Sequence, residues 1–77
     1  MMHPRNLPAE VAHLNAWWAT RPSLSPQAVS KEAGRHRNAL ARILSGERLP
    51  TARMLDDFYP MLGKYGYAPM SNEYLFL

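Results

Sequence analysis

The fold is decided by residues 26–46, whose sequence reads PQAVSKEAGRHRNALARILSG. Pro26 suits the first position of a helix, because its fixed φ is already helical and its missing N–H would have no partner there. Gly34 can adopt the left-handed conformation that side chains with a β-carbon resist. The sequence therefore predicts a short helix over about 26–33, a turn at the glycine, and a second helix over about 36–45.

The apolar residues of this stretch have the spacing of two helices that pack together. They stand five and one residues before the glycine, and six and nine residues after it: Val29, Ala33, Leu40 and Ile43. Ser30, a small residue, stands where the two helices would cross. Two short helices joined in this way predict a helix-turn-helix motif over 26–46.

A further helix is predicted before this motif, from Pro8 to about Thr20. Val11, Leu14 and Trp18 are spaced i, i+3 and i+7, so they share one helical face. The helix is expected to end at Arg21-Pro22, because a residue before proline disfavours the helical region. The neighbouring Trp17 is expected at the edge of the core or in contact with another chain.

A fourth helix is predicted from Ala52, with Thr51 as its cap. Its apolar residues fall on one side: Met54, Leu55, Phe58, Met61, Leu62 and Tyr65. Pro60 cannot donate to the carbonyl four residues earlier, so we expect a kink or a split there. The apolar residues 74–77 could form an edge strand, the remnant of a fifth helix, or an arm that packs on a partner chain.

Length and composition fit one mainly α-helical domain over residues 1–77. A chain of 77 residues, 47% of them apolar, has room for a single small core. The absence of cysteine excludes a disulfide scaffold and thiolate catalysis.

Neither a secretory signal nor a run of the roughly 18 apolar residues that a membrane span needs is present, so we expect a cytoplasmic protein without membrane contact. Because the core is small, we expect a homodimer that associates through about 52–77.

Positive charge is concentrated in one part of the chain. Residues 26–53 carry two acidic side chains, Glu32 and Glu47, against six basic ones, for a net charge of +4, and the rest of the chain carries −1. The six are Lys31, Arg35, Arg37, Arg42, Arg48 and Arg53. A basic segment in an otherwise neutral domain is typical of proteins with an anionic partner. A solvated basic face would have the same composition.

The motif resembles the helix-turn-helix of the lambda-type phage repressor and Cro family, which is also found in many bacterial regulators. The resemblance extends into residues 45–51, SGERLPT, which are similar to the family's serine-glycine-basic-proline loop before helix four. Arg35 departs from the pattern, since the position after the turn glycine is usually apolar, and His36 stands where a Ser or Thr cap is common. The resemblance implies a compact lambda-repressor-like domain of four to five helices.

The resemblance also implies a function, the sequence-specific binding of double-stranded DNA by a phage or prophage Cro-like repressor. Such a repressor would bind a palindromic operator as a homodimer, with helix three in the major groove. Arginine can donate two hydrogen bonds to guanine, asparagine can pair with adenine, and alanine can contact a thymine methyl. Base contacts are expected from Arg37, Asn38, Ala41 and Arg42. Phosphate contacts are expected from Gln27, Lys31, Arg35, Ser45, Arg48, Thr51 and Arg53. Each of these could equally be a solvated surface residue.

A second hypothesis is a small phage-type inhibitor or antitoxin-like partner that uses the same scaffold to bind a protein, which Trp17 and the apolar tail favour. Catalysis finds no support, because Asp56 and Asp57 point about 100° apart on a helix and no glycine loop is placed to cradle a phosphate. The three histidines have no i, i+4 pairing that would suit a metal. We therefore expect no enzyme activity, metal, cofactor or small-molecule ligand.

Overall fold

The computed structural model describes residues 5–70, which are mainly helical and contain no strands. The four helices are α1 (Leu7–Trp18), α2 (Pro26–Glu32), α3 (Ala39–Leu44) and α4 (Ala52–Gly63). The two short helices α2 and α3 pack on each other, α4 packs on α2, and α1 packs on α3. The mainly α-helical fold class predicted from the sequence is confirmed.

Three of the helices begin at a side-chain cap. In each, the oxygen of the preceding side chain accepts a hydrogen bond from the backbone N–H of the third helical residue, which satisfies a donor that the helix leaves free. These pairs are Asn6 with Ala9 at 3.1 Å, Ser25 with Ala28 at 3.2 Å, and Thr51 with Met54 at 3.2 Å. The predicted cap at Thr51 is confirmed, and α1 ends at Trp18, two residues before the predicted Thr20.

The core lies on the helical faces that the apolar periodicity predicts. Its buried members from the predicted faces are Leu14, Trp18, Val29, Leu40, Ile43, Met54, Leu55, Phe58 and Leu62. Val11, Ala33, Met61 and Tyr65 are half-buried and pack against its margin. Two polar side chains that the periodicity does not assign to the core, Glu10 and Ser30, are buried as well.

The helix α4 is continuous through Pro60, so the predicted split is wrong, whereas the predicted kink stays a prediction. The helix runs from Ala52 to Gly63 with the proline inside it. Phe58 and Leu62 on either side of Pro60 are fully buried and anchor both turns in the core. Pro60 itself is exposed, so water can reach the helix where the hydrogen bond is lost.

The predictions for the tail 74–77 concern residues outside the described part of the chain, as does the end of the expected dimer segment 52–77. Within the described residues, that segment presents an outer face that is largely polar or small, with Asp56, Pro60 and Lys64 exposed. In residues 5–70 no helix is both long and apolar enough to cross a membrane.

Candidate functional site

The turn between α2 and α3 has the hydrogen bonds of a glycine-terminated helix. The N–H of Gly34 donates to the Lys31 carbonyl at 3.0 Å, and the N–H of Arg35 donates to the Ser30 carbonyl at 2.9 Å. This is the Schellman arrangement, in which the residue after the helix takes a positive φ. Gly34 has φ +73°, and no heavy atom lies within 4 Å of the place of a β-carbon. The predicted left-handed turn is confirmed.

Ser30 joins the two helices through its hydroxyl group. The side chain is fully buried. Its Oγ donates to the Pro26 carbonyl at 2.8 Å and accepts a hydrogen bond from the N–H of Leu40 at 3.1 Å. The first N–H groups of a helix have no acceptor within the helix. Ser30 of α2 supplies such an acceptor to the Leu40 N–H of α3. The angle between the two helices is therefore held by a buried hydrogen bond as well as by packing.

The start of α3 differs from the prediction, because the helix begins at Ala39 and not at His36. The carbonyl of His36 accepts a hydrogen bond from the Ala39 N–H at 2.9 Å, and its ring Nδ1 accepts one from the Asn38 N–H at 3.1 Å. Asn38 has φ −95° and ψ 2°, outside the region of a regular helix. His36 therefore holds Arg37 and Asn38 in a turn that precedes the helix.

The four predicted base-contact residues lie on the turn and the exposed side of α3. Ala41 and Arg42 belong to the helix, whereas Arg37 and Asn38 precede it. Both arginines are exposed, and Asn38 and Ala41 are half-buried. The N–H of Arg42 donates to the Asn38 carbonyl at 3.0 Å, and that of Ser45 to the Ala41 carbonyl at 3.0 Å. The four base-contact residues thus form one strip over successive turns, and Ser45 lies one turn further along.

Two of the predicted contact arginines have acidic neighbours. The guanidinium of Arg35 forms an ion pair with the carboxylate of Asp57 on α4, so the predicted phosphate contact would require this pair to open. The Nε of Arg42 lies 4.0 Å from Glu47 Oε2, and both side chains are largely exposed. Four other basic residues of the segment have no carboxylate within 4.0 Å among residues 5–70: Lys31, Arg37, Arg48 and Arg53.

The other predicted phosphate contacts are exposed at helix ends and in loops. They are Gln27, Lys31, Ser45, Arg48, Thr51 and Arg53. Three of them also have local hydrogen bonds. Gln27 Oε1 accepts one from the Ser25 hydroxyl at 3.1 Å, the Ser45 hydroxyl donates to the Arg42 carbonyl at 3.1 Å, and Thr51 caps α4. These three side chains therefore have partners within the protein while remaining exposed to solvent.

Comparisons with protein-family models, curated proteins and solved structures gave no match. Within residues 5–70 no group of three or more His, Asp, Glu or Cys side chains could hold a metal ion. An open cleft of about 380 Å³ is lined by residues 20–24, and one of about 230 Å³ lies between α1 and the α3–α4 loop.

Sequence reasoning missed a charge cluster around the buried Glu10, between α1 and α4. Glu10 is 4% exposed and accepts hydrogen bonds from Arg5 Nε at 3.1 Å, Arg5 Nη2 at 2.6 Å and the Tyr59 hydroxyl at 2.7 Å. The remaining terminal nitrogen of Arg5 donates to both carboxylate oxygens of Asp56, at 2.9 and 3.0 Å. The spacing of Arg5 and Glu10 has no helical or strand period, so no pattern indicated the pair.

Hydrogen bonding decides the ionisation of this cluster. Burial alone would raise the pKa of Glu10, but hydrogen bonds from Arg5 and Tyr59 together outweigh burial and hold that pKa below its usual value. Burial and the bond to Glu10 raise the pKa of Tyr59. Burial, with the nearby charge of Glu10, raises the pKa of Tyr67 to about 12. The cluster is therefore an ionised Glu10 held between a cation and a neutral phenol.

Trp17 belongs to an aromatic group at the edge of the core. Its ring lies 5.1 Å from that of Tyr67 and 5.6 Å from that of Trp18. The guanidinium carbon of Arg21 lies 5.7 Å from the Trp17 ring centroid, within the distance of a cation–π contact. The hydroxyl group of Tyr67 also shares a hydrogen bond with His13 Nδ1 at 2.8 Å. Trp17 is half-buried, which confirms the prediction that it lies at the edge of the core.

Proposed function

We propose that this protein is a helix-turn-helix regulator that binds duplex DNA, with α3 and the turn before it in the major groove. The observation that carries the proposal is the exposed strip of Arg37, Asn38, Ala41 and Arg42 on a pair of short helices. Arg37 has no carboxylate within 4.0 Å among the described residues. An arginine with free donors can form the bidentate contact to guanine O6 and N7.

The rigidity of the pair supports this proposal. Base recognition requires side chains whose backbone is held in place before the DNA arrives. The Ser30 hydroxyl, with partners at 2.8 and 3.1 Å on both sides, ties α2 to α3, and Gly34 ends α2 in a defined turn. The His36 ring holds the backbone of Asn38 at 3.1 Å. The side chains that would read bases therefore project from an ordered backbone.

The basic residues around the strip supply the remaining interactions. Lys31, Arg48 and Arg53 are exposed on α2, on the α3–α4 loop and on α4. Charges on three different elements can contact phosphates on both sides of one groove, which orients the protein without reading sequence. Arg42 and Asn38, one helical turn apart, would then read guanine and adenine.

The resemblance of residues 26–51 to the phage repressor and Cro family supports a role in repressing transcription. A Cro-like repressor acts by occupying an operator in a promoter. We propose a homodimer on a palindromic operator whose half-sites lie about one helical turn, roughly 34 Å, apart. Such a protein would need no metal or cofactor and would act in the cytoplasm.

The test is selection of duplex DNA from a random pool, followed by titration of the enriched sequence at two salt concentrations. The proposal predicts an enriched palindrome whose affinity falls steeply with salt, because each neutralised phosphate releases counterions. A pool that yields no enriched sequence would contradict it. Weak binding to every duplex alike would reduce the finding to the attraction between DNA and a basic patch.

The alternative function, binding of a protein as an inhibitor or antitoxin-like partner, is favoured by Leu49. This side chain is 73% exposed and lies at the cleft that Pro8, Val11 and Pro50 help to line. Exposed leucines occur singly on many proteins, so the observation is weaker than the basic strip. An apolar protein interface would bind with little dependence on salt, which distinguishes it from DNA binding.

A further inference from the structure

We propose that Asp57 acts as an intramolecular substitute for a DNA phosphate, which it does by occupying Arg35 in the free protein. The inference rests on the proposed function, since it concerns how strongly the same surface binds DNA. Arg35 stands in the turn between α2 and α3, and its guanidinium forms an ion pair with the carboxylate of Asp57 on α4. The pair thus joins the candidate DNA-binding turn to the helix behind it.

The position of Asp57 places a negative charge inside the basic segment. It follows Arg53 by four residues on α4, so the two side chains leave the same face of the helix one turn apart. Arg35, Asp57 and Arg53 therefore lie along one edge of the proposed interface. A phosphate that approached Arg53 would meet the carboxylate of Asp57 next to it, where like charges repel.

The pair can open at little cost. The side chain of Arg35 is 31% exposed and that of Asp57 is 43% exposed, and ion pairs accessible to water contribute little to folding stability. A phosphate offers arginine the same planar, charge-assisted hydrogen bonds as a carboxylate does. DNA therefore competes with Asp57 for Arg35, and the carboxylate lowers the affinity for any duplex by the same factor, because phosphate contacts carry no sequence information.

The helix α4 offers a matched control in the neighbouring residue. Asp56 is also exposed and also pairs with an arginine, but its partner is Arg5 in the charge cluster around Glu10, at 2.9 Å. Asp57→Asn and Asp56→Asn remove the same charge from adjacent positions of one helix. Any effect of net charge alone is therefore common to both variants, and only Asp57→Asn releases Arg35.

The experiment is titration of a random-sequence duplex and of the selected duplex with the wild type and both variants over a series of salt concentrations. We expect Asp57→Asn to bind both duplexes about 3- to 10-fold tighter at low salt, with the slope of log affinity against log salt steeper by about 0.9 for the one added phosphate contact. Asp56→Asn should gain less affinity than Asp57→Asn at each salt concentration and keep the slope of the wild type, since it adds no phosphate contact.

The double variant Arg35→Gln/Asp57→Asn completes the test, because it should lose the gain that Asp57→Asn brings. Thermal unfolding of each variant confirms that it is folded. Equal affinities for Asp57→Asn and Asp56→Asn, or a gain that survives in the double variant, would overturn the role of Asp57 while leaving DNA binding intact. If the wild type and every variant fail to bind either duplex at low salt, the proposed function fails and this inference falls with it.

Discussion

Arginine has opposite roles in two regions of the molecule. Arg5 directs Nε and both terminal nitrogens to carboxylates, two bonds to Glu10 and two to Asp56. Arg37, on the strip before α3, has no carboxylate within 4.0 Å in the described part of the chain. The first arginine is committed to the fold, and the second has donors that no carboxylate of the described residues occupies. The difference between them is the availability of donors, which net charge alone does not reveal.

The largest effect is expected where the charge cluster is broken. Glu10→Gln keeps the size of the side chain and removes its charge, which leaves the guanidinium of Arg5 with Asp56 as its one carboxylate partner among residues 5–70. We expect the free energy of unfolding to fall by about 2–3 kcal/mol, less than for a fully buried pair because Arg5 is 30% exposed. The measurement is urea unfolding. Glu47→Gln, whose side chain is 70% exposed, is the control and should change stability by less than about 0.5 kcal/mol.

The same cluster predicts how stability depends on pH. Because the folded state lowers the pKa of Glu10, its contribution is fully present above the unfolded pKa of about 4.3 and is lost as pH falls through the folded value. The wild type should therefore lose its advantage over Glu10→Gln as unfolding is repeated from pH 6 toward about pH 3. A constant difference in stability across that range would contradict the assignment of an ionised Glu10.

The next effect concerns the joint between α2 and α3. Ser30→Ala removes the acceptor of the Leu40 N–H and leaves that buried group without its partner, so we expect a loss of about 1–3 kcal/mol in urea unfolding. Ser23→Ala, at an exposed loop position, should change stability by less than about 0.5 kcal/mol. Equal stabilities for the two variants would show that the Ser30 hydroxyl does not hold the helices together.

A smaller effect distinguishes two glycines. A β-carbon would meet no atom within 4 Å at either Gly34 or Gly63, but only Gly34 has a positive φ. Gly34→Ala should therefore cost about 1–2 kcal/mol from backbone strain alone. Gly63→Ala, at the end of α4, should raise stability, by up to about 1 kcal/mol, since alanine favours helix. Thermal unfolding of both variants tests the prediction, and a shift in the same direction for both would refute it.

The parts of the fold set by local rules could be predicted from the sequence. The apolar periodicity identified the buried face of α4, and Gly34 indicated the turn between α2 and α3. Both features depend on residues close together in the chain. The predicted start of α3 at His36 was wrong because the carbonyl and ring nitrogen of His36 hold the backbone in a turn. The continuity of α4 was missed because Phe58 and Leu62 anchor the helix on both sides of its proline.

The candidate site was harder to predict, because its electrostatics depend on contacts distant in sequence. Arg35 was expected to face phosphate, but Asp57 is 22 residues away and becomes its neighbour only when α4 packs on α2. The cluster of Arg5 and Tyr59 around Glu10 likewise joins the two ends of the described chain. Composition gave the correct count of charges and did not distinguish paired from available ones.

We propose that the exposed strip on α3 and the turn before it binds DNA while contributing little to stability. The most direct test of this claim is titration of the selected duplex with Arg42→Ala and with Lys64→Ala, which removes the same charge from the exposed end of α4. We predict that Arg42→Ala weakens specific binding by about 1–3 kcal/mol with its unfolding curve unchanged, and that Lys64→Ala leaves both unaltered. A folded Arg42→Ala variant that binds the selected duplex as tightly as Lys64→Ala would contradict the account.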